Sequence, residues 1–187
     1  SNIKLYGPNA YNYFILPTST VSGTIRKRYL YTTGIDKNYD QQLVANVTIS
    51  NIVGPDIVSY FAQFADINAG SSKVIYVALS DTIIVNNNNN YQIATLATAN
   101  IFQLLLTATF TGINRVYNAQ TLTSTSYTIS GIYLGDLVDI SNIYTSNLVD
   151  INTGLSKLIY INNVNLIGSS YYNYVISISG SSSANIV

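Results

Sequence analysis

The chain has 187 residues, of which 48% are hydrophobic and 12% aromatic, enough to bury a core as one large domain or two small ones. Only 9% of the residues are charged and the net charge is zero, which argues against nucleic acids and anionic membranes as partners because both need a basic face. Cys and His are absent, which excludes disulfides and thiolate metal sites and removes the commonest general base and metal ligand.

No apolar run approaches the roughly 18 residues of a transmembrane helix, and the N-terminus has no basic-then-apolar signal pattern. A nearly uncharged surface rich in Tyr, Asn, Ser and Thr is unlike that of a typical cytosolic enzyme. We therefore expect an extracellular protein from which a signal was removed before Ser1. The mature chain is expected to have no membrane span, no cofactor and no metal.

Residues 1–22 begin the chain with a segment that is apolar on two faces. Pro8 and Pro17 bracket an alternation that places Tyr11, Tyr13 and Ile15 on one face of a strand. Phe14 and Leu16 share the other face with Asn12, and Ile3 and Leu5 precede the turn at Gly7. A strand that is apolar on both faces needs cover on both sides. The pattern therefore predicts an enclosed strand, and no hairpin signal connects it to the chain beyond residue 22.

The rest of the chain carries an internal duplication, visible in a block that occurs twice. The pattern Asp-Ile-Asn-x-Gly-x-Ser-Lys-apolar-Ile-Tyr begins at Asp66 and again at Asp150, an offset of 84 residues (150 − 66). Residues 33–42 match residues 111–120 at an offset of 78, and Asn90-Tyr91 matches Asn173-Tyr174 at an offset of 83. We therefore predict an N-terminal tail at 1–22, a first repeat at 23–99 and a second repeat at 100–187 with a flexible C-terminal end.

Both repeats are predicted to consist of β-strands. Runs rich in Val, Ile, Thr, Tyr and Phe alternate with turn signals, and the predicted strands in the first repeat are 43–50, 58–65, 73–79, 82–85 and 91–98. The run at 96–108 contains enough Ala and Leu for a helix, but its Thr content and its place in the duplication favour a strand. The fold class predicted is all-β. It is either two tandem Greek-key β-sandwich repeats or one pseudo-symmetric sandwich built from both.

A basic triplet opens the first repeat where the second repeat is apolar. Arg26, Lys27 and Arg28 align with 104–106, which is Leu-Leu-Leu. The alignment predicts a solvated strand in the first copy, guarded against edge pairing by its charge, and a buried strand in the second.

The doubled block can be interpreted as a calcium-binding loop or as a hairpin turn. Asp-x-Asn-x-Gly resembles the start of a calcium loop, but Val77 and Ile161 occupy the position of the bidentate Glu. The favoured interpretation is a hairpin turn in which Asp66 and Asp150 bind the turn backbone while Gly70 and Gly154 adopt positive φ.

Two further chemistries involve the repeated lysines and the aspartates. Lys73 and Lys157 could form amide crosslinks to Asn side chains with the help of a buried Asp, if all three meet on adjacent strands. Asp139 and Asp150 are the candidates for acid and base chemistry by Asp alone. The chain has no nucleophile elbow, phosphate loop or Glu pair, so we expect a protein that is not an enzyme.

An apolar N-terminal strand followed by an all-β body rich in Tyr, Asn, Ser and Thr resembles the subunits of archaeal extracellular filaments, such as threads and bundling pili. The resemblance implies a homopolymer in which residues 1–22 act as a donor strand that completes the sandwich of the next subunit. Under this reading Ile3, Leu5, Tyr11, Tyr13, Phe14, Ile15 and Leu16 form the subunit interface, and the filament serves adhesion or biofilm formation. Thread subunits are heavily glycosylated, whereas this chain has one Asn-x-Ser/Thr site, Asn46.

Two other classes remain open: a viral capsid or surface-layer protein, and a carbohydrate-binding adhesin that uses exposed Tyr faces. The acidic residues add an expectation about environment. Asp accounts for all 8 acidic residues and Glu is absent, so few carboxylates can lose their stabilising contacts on protonation. We expect the protein to tolerate strong acid.

Overall fold

The computed structural model describes residues 3–16, 22–80, 88–178 and 182–187, and over these residues the chain is all-β, as predicted. The helices in these ranges are single 3-10 turns at Ala10–Asn12, Asn88–Asn90 and Tyr171–Asn173. The predicted strand at 82–85 lies outside the described residues. The body consists of a first half, residues 28–102, and a second half, residues 104–187.

The first half forms two sheets. Its strands are β1 (Arg28–Ile35), β2 (Lys37–Asn38), β3 (Asn46–Ser50), β4 (Tyr60–Phe64), β5 (Gly70–Leu79), β6 (Tyr91–Ile93) and β7 (Ala97–Phe102). One sheet has the order β3-β1-β6 and the other the order β2-β7-β5-β4. The pairs β1–β6 and β2–β7 are parallel and the others are antiparallel, so both sheets are mixed.

The second half repeats this arrangement. Its strands are β8 (Leu104–Gly112), β9 (Thr125–Ser130), β10 (Asp139–Ile140), β11 (Thr145–Leu148), β12 (Gly154–Asn162), β13 (Leu166–Ile167), β14 (Tyr174–Ile178) and β15 (Ser182–Ile186). The sheets are β14-β8-β9 and β11-β12-β15, with β10 and β13 as an additional pair. As in the first half, the strand that follows a 3-10 turn, β14, pairs in parallel with the first strand, β8.

Two glycines occupy the same crowded position in the two halves. A Cβ atom at Gly34 in β1 would overlap the carbonyl oxygen of Thr98 and the side chain of Ile75. A Cβ atom at Gly112 in β8 would overlap the carbonyl oxygen of Ser183 and the side chain of Ile159. Neither glycine has positive φ. Glycine is therefore required at both positions because one sheet approaches the other closely, and not because the backbone needs an unusual conformation.

One hydrophobic cluster contains residues of both halves. Phe64, Ile75 and Ile101 of the first half are buried together with Leu106 and Tyr174 of the second half. Two smaller clusters lie within the second half, around Leu148 and Ile159 and around Phe110 and Ile140. The two halves therefore share a continuous core, which gives a sandwich-like body. The Greek-key order of the repeats and the boundary at residue 99 remain predictions.

Several local predictions are corrected by the structure. Residues 104–106 are not uniformly buried: Leu106 is fully buried, but Leu105 is 59% exposed because neighbouring residues of a strand point to opposite faces. In the first half Arg26, Lys27 and Arg28 are exposed, and β1 begins only at Arg28. Residues 11–16 are not a strand of this body, since 10–12 form a 3-10 turn and 13–16 belong to no strand.

The doubled block forms the predicted Asp-anchored turn, but the residue with positive φ is different. Ser72 and Ser156 both have φ of 50°, whereas Gly70 and Gly154 do not have positive φ. A register shift between Gly70 and Lys73, repeated between Gly154 and Lys157, places the serine at the irregularity. There its backbone N–H donates to the side chain of Asn100 (2.9 Å) or Asn185 (2.8 Å).

The crowded glycines lead to a stability prediction. Gly34→Ala and Gly112→Ala should each lower the free energy of unfolding by about 1–3 kcal/mol or more, because the added methyl meets backbone that cannot move away. Urea denaturation measures the change. Gly23→Ala is the matched control: nothing lies within 4 Å of a Cβ there, so the change should stay within about 0.5 kcal/mol. Equal stability of all three variants would contradict the close approach of the sheets.

Candidate self-assembly surfaces

The N-terminal segment exposes nearly all of its apolar side chains. Tyr11 and Phe14 are each 81% exposed, and the same segment exposes Ile3, Leu5, Tyr6, Tyr13, Ile15 and Leu16. Its backbone hydrogen bonds are local, from Ala10 N to Gly7 O (3.0 Å) and from Asn12 N to Asn9 O (3.1 Å). None of the residues predicted to form the interface is packed into the core of the body. Exposed apolar side chains grouped in one segment make it a candidate interaction surface.

The predicted glycosylation site lies on the surface of the first half. Asn46 is the first residue of β3, and it is exposed while its neighbours Ala45 and Val47 are buried. Its backbone is fixed by pairing with Ile35 of β1. An attached glycan would therefore leave the core undisturbed.

A carboxylate shared by two tyrosines lies where the two halves meet. Asp136 accepts hydrogen bonds from the hydroxyl groups of Tyr39 (2.8 Å) and Tyr174. Burial acts to raise the pKa of Asp136, but the hydrogen bonds from Tyr174 and Tyr39 outweigh it and hold the pKa below its usual value. Burial, followed by the hydrogen bond to Asp136, raises the pKa of Tyr39 to about 12. Burial also raises the pKa of Tyr174.

The first half contains the same arrangement with one tyrosine missing. Tyr91 donates to Asp56 (2.6 Å) and accepts from the backbone N–H of Val53 (2.9 Å), as Tyr174 accepts from that of Tyr133 (3.1 Å). The hydrogen bond to Asp56, followed by burial, raises the pKa of Tyr91. Beside this pair lies an open cavity of about 290 Å³, lined in part by Val53, Asp56, Tyr91 and residues 25–28.

The repeated lysines are held by the aspartates of the doubled block. Lys73 forms an ion pair with Asp66, and Lys157 forms one with Asp150. The lysine side chains are only 13% and 11% exposed, so each ion pair stabilises its hairpin from the buried side. Hydrogen bonds from the lysines hold the pKa values of both carboxyls below their usual range.

The partners of these lysines bear on the two chemistries considered for the doubled block, the amide crosslink and the calcium site. A crosslink to Asn needs an amide side chain beside the lysine nitrogen, whereas Lys157 Nζ donates to Asp150 and to the backbone oxygen of Asn152 (2.9 Å). The aspartate oxygens that a calcium ion would require accept these ammonium protons. Asp139, the other catalytic candidate, accepts from Tyr127 (2.8 Å) and from the backbone N–H of Ile140 (2.8 Å).

A further cavity lies in the second half and was missed by sequence reasoning. It has a volume of about 500 Å³ and is lined by Arg115, Asn118, Asn142, Tyr144 and neighbouring residues. The Nε and Nη1 atoms of Arg115 are buried there without a hydrogen-bond partner among the described residues. The sequence did contain a sign of this arrangement around Arg115. Arg115 and Asn118 match Lys37 and Asp40 of the first half, which form an ion pair (2.7 Å), so in the second half Asn118 replaces the aspartate.

Comparison with protein-family models, with curated proteins and with solved structures found no match for this chain. Within the described ranges, no three His, Cys, Asp or Glu side chains are grouped closely enough to hold a metal ion. The part of the chain that the structure describes contains no helix of the length and apolarity needed to cross a membrane.

The shared carboxylate predicts a loss of stability in alkali. The pKa of folded Tyr39 lies above that of an unfolded tyrosine, so its contribution is present below about pH 10 and is lost as the pH rises toward 12. Tyr39→Phe should cost about 1.5–3 kcal/mol at pH 7, the range for a hydrogen bond to a charged group, and its deficit relative to wild type should shrink between pH 10 and 12. Urea denaturation across this range measures it. Tyr76→Phe, at an exposed tyrosine, is the control, and a deficit that does not shrink contradicts the assignment.

The aspartates predict tolerance of acid. The pKa values of Asp66, Asp136 and Asp150 are lowered, so their contribution is present above the ordinary Asp value and is lost only as the pH falls through the lowered values. Circular dichroism from pH 7 to pH 2 should show the native β-spectrum retained at pH 3. Cooperative unfolding above pH 3 at moderate temperature would contradict this prediction.

Proposed function

We propose that the protein is a structural subunit of an extracellular filament of the archaeal thread type, which polymerises head to tail by inserting its N-terminal segment into the β-body of the next subunit. The observation that carries the proposal is the exposure of the apolar residues of 3–16 on a chain whose body buries its core without them. An open chain of such contacts uses two different surfaces of each subunit and therefore grows without closing.

The energetics favour insertion over leaving the segment in water. Burying a large apolar side chain contributes about 1.5–3 kcal/mol, so the seven predicted interface residues could contribute on the order of 10 kcal/mol before the cost of ordering the segment. Tyr13 already has extended backbone angles, φ −127° and ψ 150°. An extended segment can satisfy its remaining N–H and C=O groups by pairing with the edge of a sheet.

The second half offers surfaces suited to receive such a segment. β9 and β14 are the outer strands of the sheet β14-β8-β9. An apolar groove of about 340 Å³ lies beside Phe110, Leu158, Ile159, Ile161 and Ile178. Leu158, Tyr160 and Ile178 are each more than a third exposed, so the side chains of the described residues do not fill the groove.

The cavity beside Arg115 supports a second candidate function, a carbohydrate-binding module. Amide side chains, a tyrosine and a guanidinium whose Nε and Nη1 atoms have no partner among the described residues are groups that bind the hydroxyl and carboxylate oxygens of sugars. A chain that stays monomeric, and that binds saccharides only while Arg115 is present, would favour this function over the filament.

The filament proposal predicts the effect of charges placed in the N-terminal segment. The double variant Tyr13→Asp, Ile15→Asp should abolish polymerisation, because it would place two charges where the proposed filament buries apolar side chains. The body should keep its circular dichroism and its unfolding midpoint. Negative-stain microscopy and size-exclusion chromatography of the full chain measure assembly.

The matched control is Asn9→Asp, Asn12→Asp, which adds the same charge to the same segment but spares its apolar side chains; it should assemble as wild type does. Unfolding of the monomer in the first variant would place the segment in its own core and overturn the proposal. Closed shells in place of filaments would favour a capsid.

A further inference from the structure

The two halves of the chain join through a knob and a socket. The knob face of the first half consists of Tyr39, Asn68 and Ala69, and the socket face of the second half consists of Tyr133, Asp136, Asn173 and Tyr174. The Tyr39 ring packs edge-on against Tyr133 (5.9 Å between centroids) and Tyr174 (5.4 Å). Its hydroxyl group donates to Asp136.

A second contact fixes the same interface. The backbone N–H of Ala69 donates to the side-chain oxygen of Asn173 (2.8 Å), and the Asn68 oxygen accepts from the hydroxyl group of Tyr172 (3.3 Å). Tyr39 is 1% exposed and Asn173 is 2% exposed. The socket face is therefore closed by the knob face.

Because the chain is duplicated, the second half carries its own knob face, consisting of Tyr117, Asn152 and Thr153. Tyr117 has the backbone setting of Tyr39: its N–H donates to Val187 O (2.8 Å), as that of Tyr39 donates to Phe102 O (2.8 Å). Asn152 N donates to Asp150 (2.8 Å), as Asn68 N donates to Asp66 (2.8 Å). Yet Tyr117 is 49% exposed, whereas Tyr39 is buried.

The first half likewise carries its own socket face, consisting of Val53, Asp56, Asn90 and Tyr91. The loop has the same shape, since Asp56 N donates to Val53 O (3.0 Å), as Asp136 N donates to Tyr133 O (3.1 Å). The cavity of about 290 Å³ lies where the tyrosine of a knob would stand. Asn90, which corresponds to the buried Asn173, is exposed.

We propose that the knob face of the second half of one molecule docks into the socket face of the first half of the next copy, with the Tyr117 hydroxyl donating to Asp56. The occupant is a second copy because the knob that fits this socket is part of the same chain and is uncovered. Repeating the relation between the halves from molecule to molecule gives an open polymer.

This inference rests on the proposed filament and adds a second contact to it. Residues 25–28 line the same cavity, so the part of the chain that precedes β1 lies at the socket face. Arg26 and Arg28 stand where the internal socket has Leu104 and Leu106. Arg28 is held by the backbone oxygen of Asn51 (2.9 Å). The contact between copies is thus more polar than the internal one and suits reversible docking.

Single-cysteine variants of the full chain test the contact, since the protein has no cysteine of its own. Thr153→Cys and Asn90→Cys occupy the positions of Ala69 and Asn173, which are in direct hydrogen-bond contact at the internal junction (2.8 Å from Ala69 N to Asn173 Oδ1). Mixed and mildly oxidised, the two proteins should form a disulfide heterodimer. Ser126→Cys, exposed on β9, replaces Thr153→Cys in the control pair. A yield no higher than that of the control overturns the proposal.

A second pair of variants tests the contribution of Tyr117 to the contact between copies. Adding Tyr117→Ala to Thr153→Cys should lower the heterodimer yield about tenfold, equivalent to about 1.4 kcal/mol, because a central aromatic anchor is lost. Adding Tyr76→Ala, which removes a tyrosine of similar exposure from β5, should leave the yield unchanged. Equal loss in both variants would contradict the docking of Tyr117.

The outcome separates this contact from the filament itself. Filaments without the specific crosslink would overturn the knob-and-socket contact and leave the N-terminal insertion standing. A specific crosslink that persists in Tyr13→Asp, Ile15→Asp, together with a wild-type chain that forms no filaments, would support the contact and overturn the filament. Neither filament nor crosslink would overturn both.

Discussion

The hydrogen bonds to the carboxylate of Asp136 join the two halves of the body. It accepts a hydrogen bond from Tyr39 of the first half and another from Tyr174 of the second, and both rings are almost fully buried. Asp136 itself is half-buried, and a carboxylate that loses water in this way is tolerated when such donors replace it. The hydrophobic cluster that runs from Phe64 to Leu106 lies around the same tyrosines. Because the interface combines apolar contacts with these hydrogen bonds, the halves share one core.

A body with so few charges must satisfy its polar groups in other ways. The two repeated ion pairs, Lys73 with Asp66 and Lys157 with Asp150, lie in the hairpins of the doubled block. In each pair the lysine side chain is largely buried. Elsewhere amides and hydroxyls take this role, as Asn88 does when it binds the backbone of Ser59 on both its donor and its acceptor side. Such contacts do not depend on ionisation, so their strength does not change in acid.

The sequence predicted the all-β class and the doubled block because both rest on local information. Alternation of apolar residues and the recurrence of Asp, Asn, Gly and Lys at fixed spacing are visible without tertiary contacts. The same local reasoning misplaced the positive φ of the doubled block at Gly70, whereas the register shift between neighbouring strands puts it at Ser72. It also treated residues 104–106 as uniformly buried, since composition alone does not tell which face of a strand meets the core.

By itself, the sequence determined that this protein is all-β, internally repeated, poor in charge and equipped with an apolar segment at its N-terminus. Only the tertiary structure decided what each copy of a repeated residue does. Tyr39 and its counterpart Tyr117 have the same backbone setting, but one is buried against the second half and the other is exposed. The physical reason is that the junction between the two repeats buries Tyr39 and leaves Tyr117 outside it. The environment of a repeated side chain depends on whether another repeat lies against it, and no local pattern of residues records this.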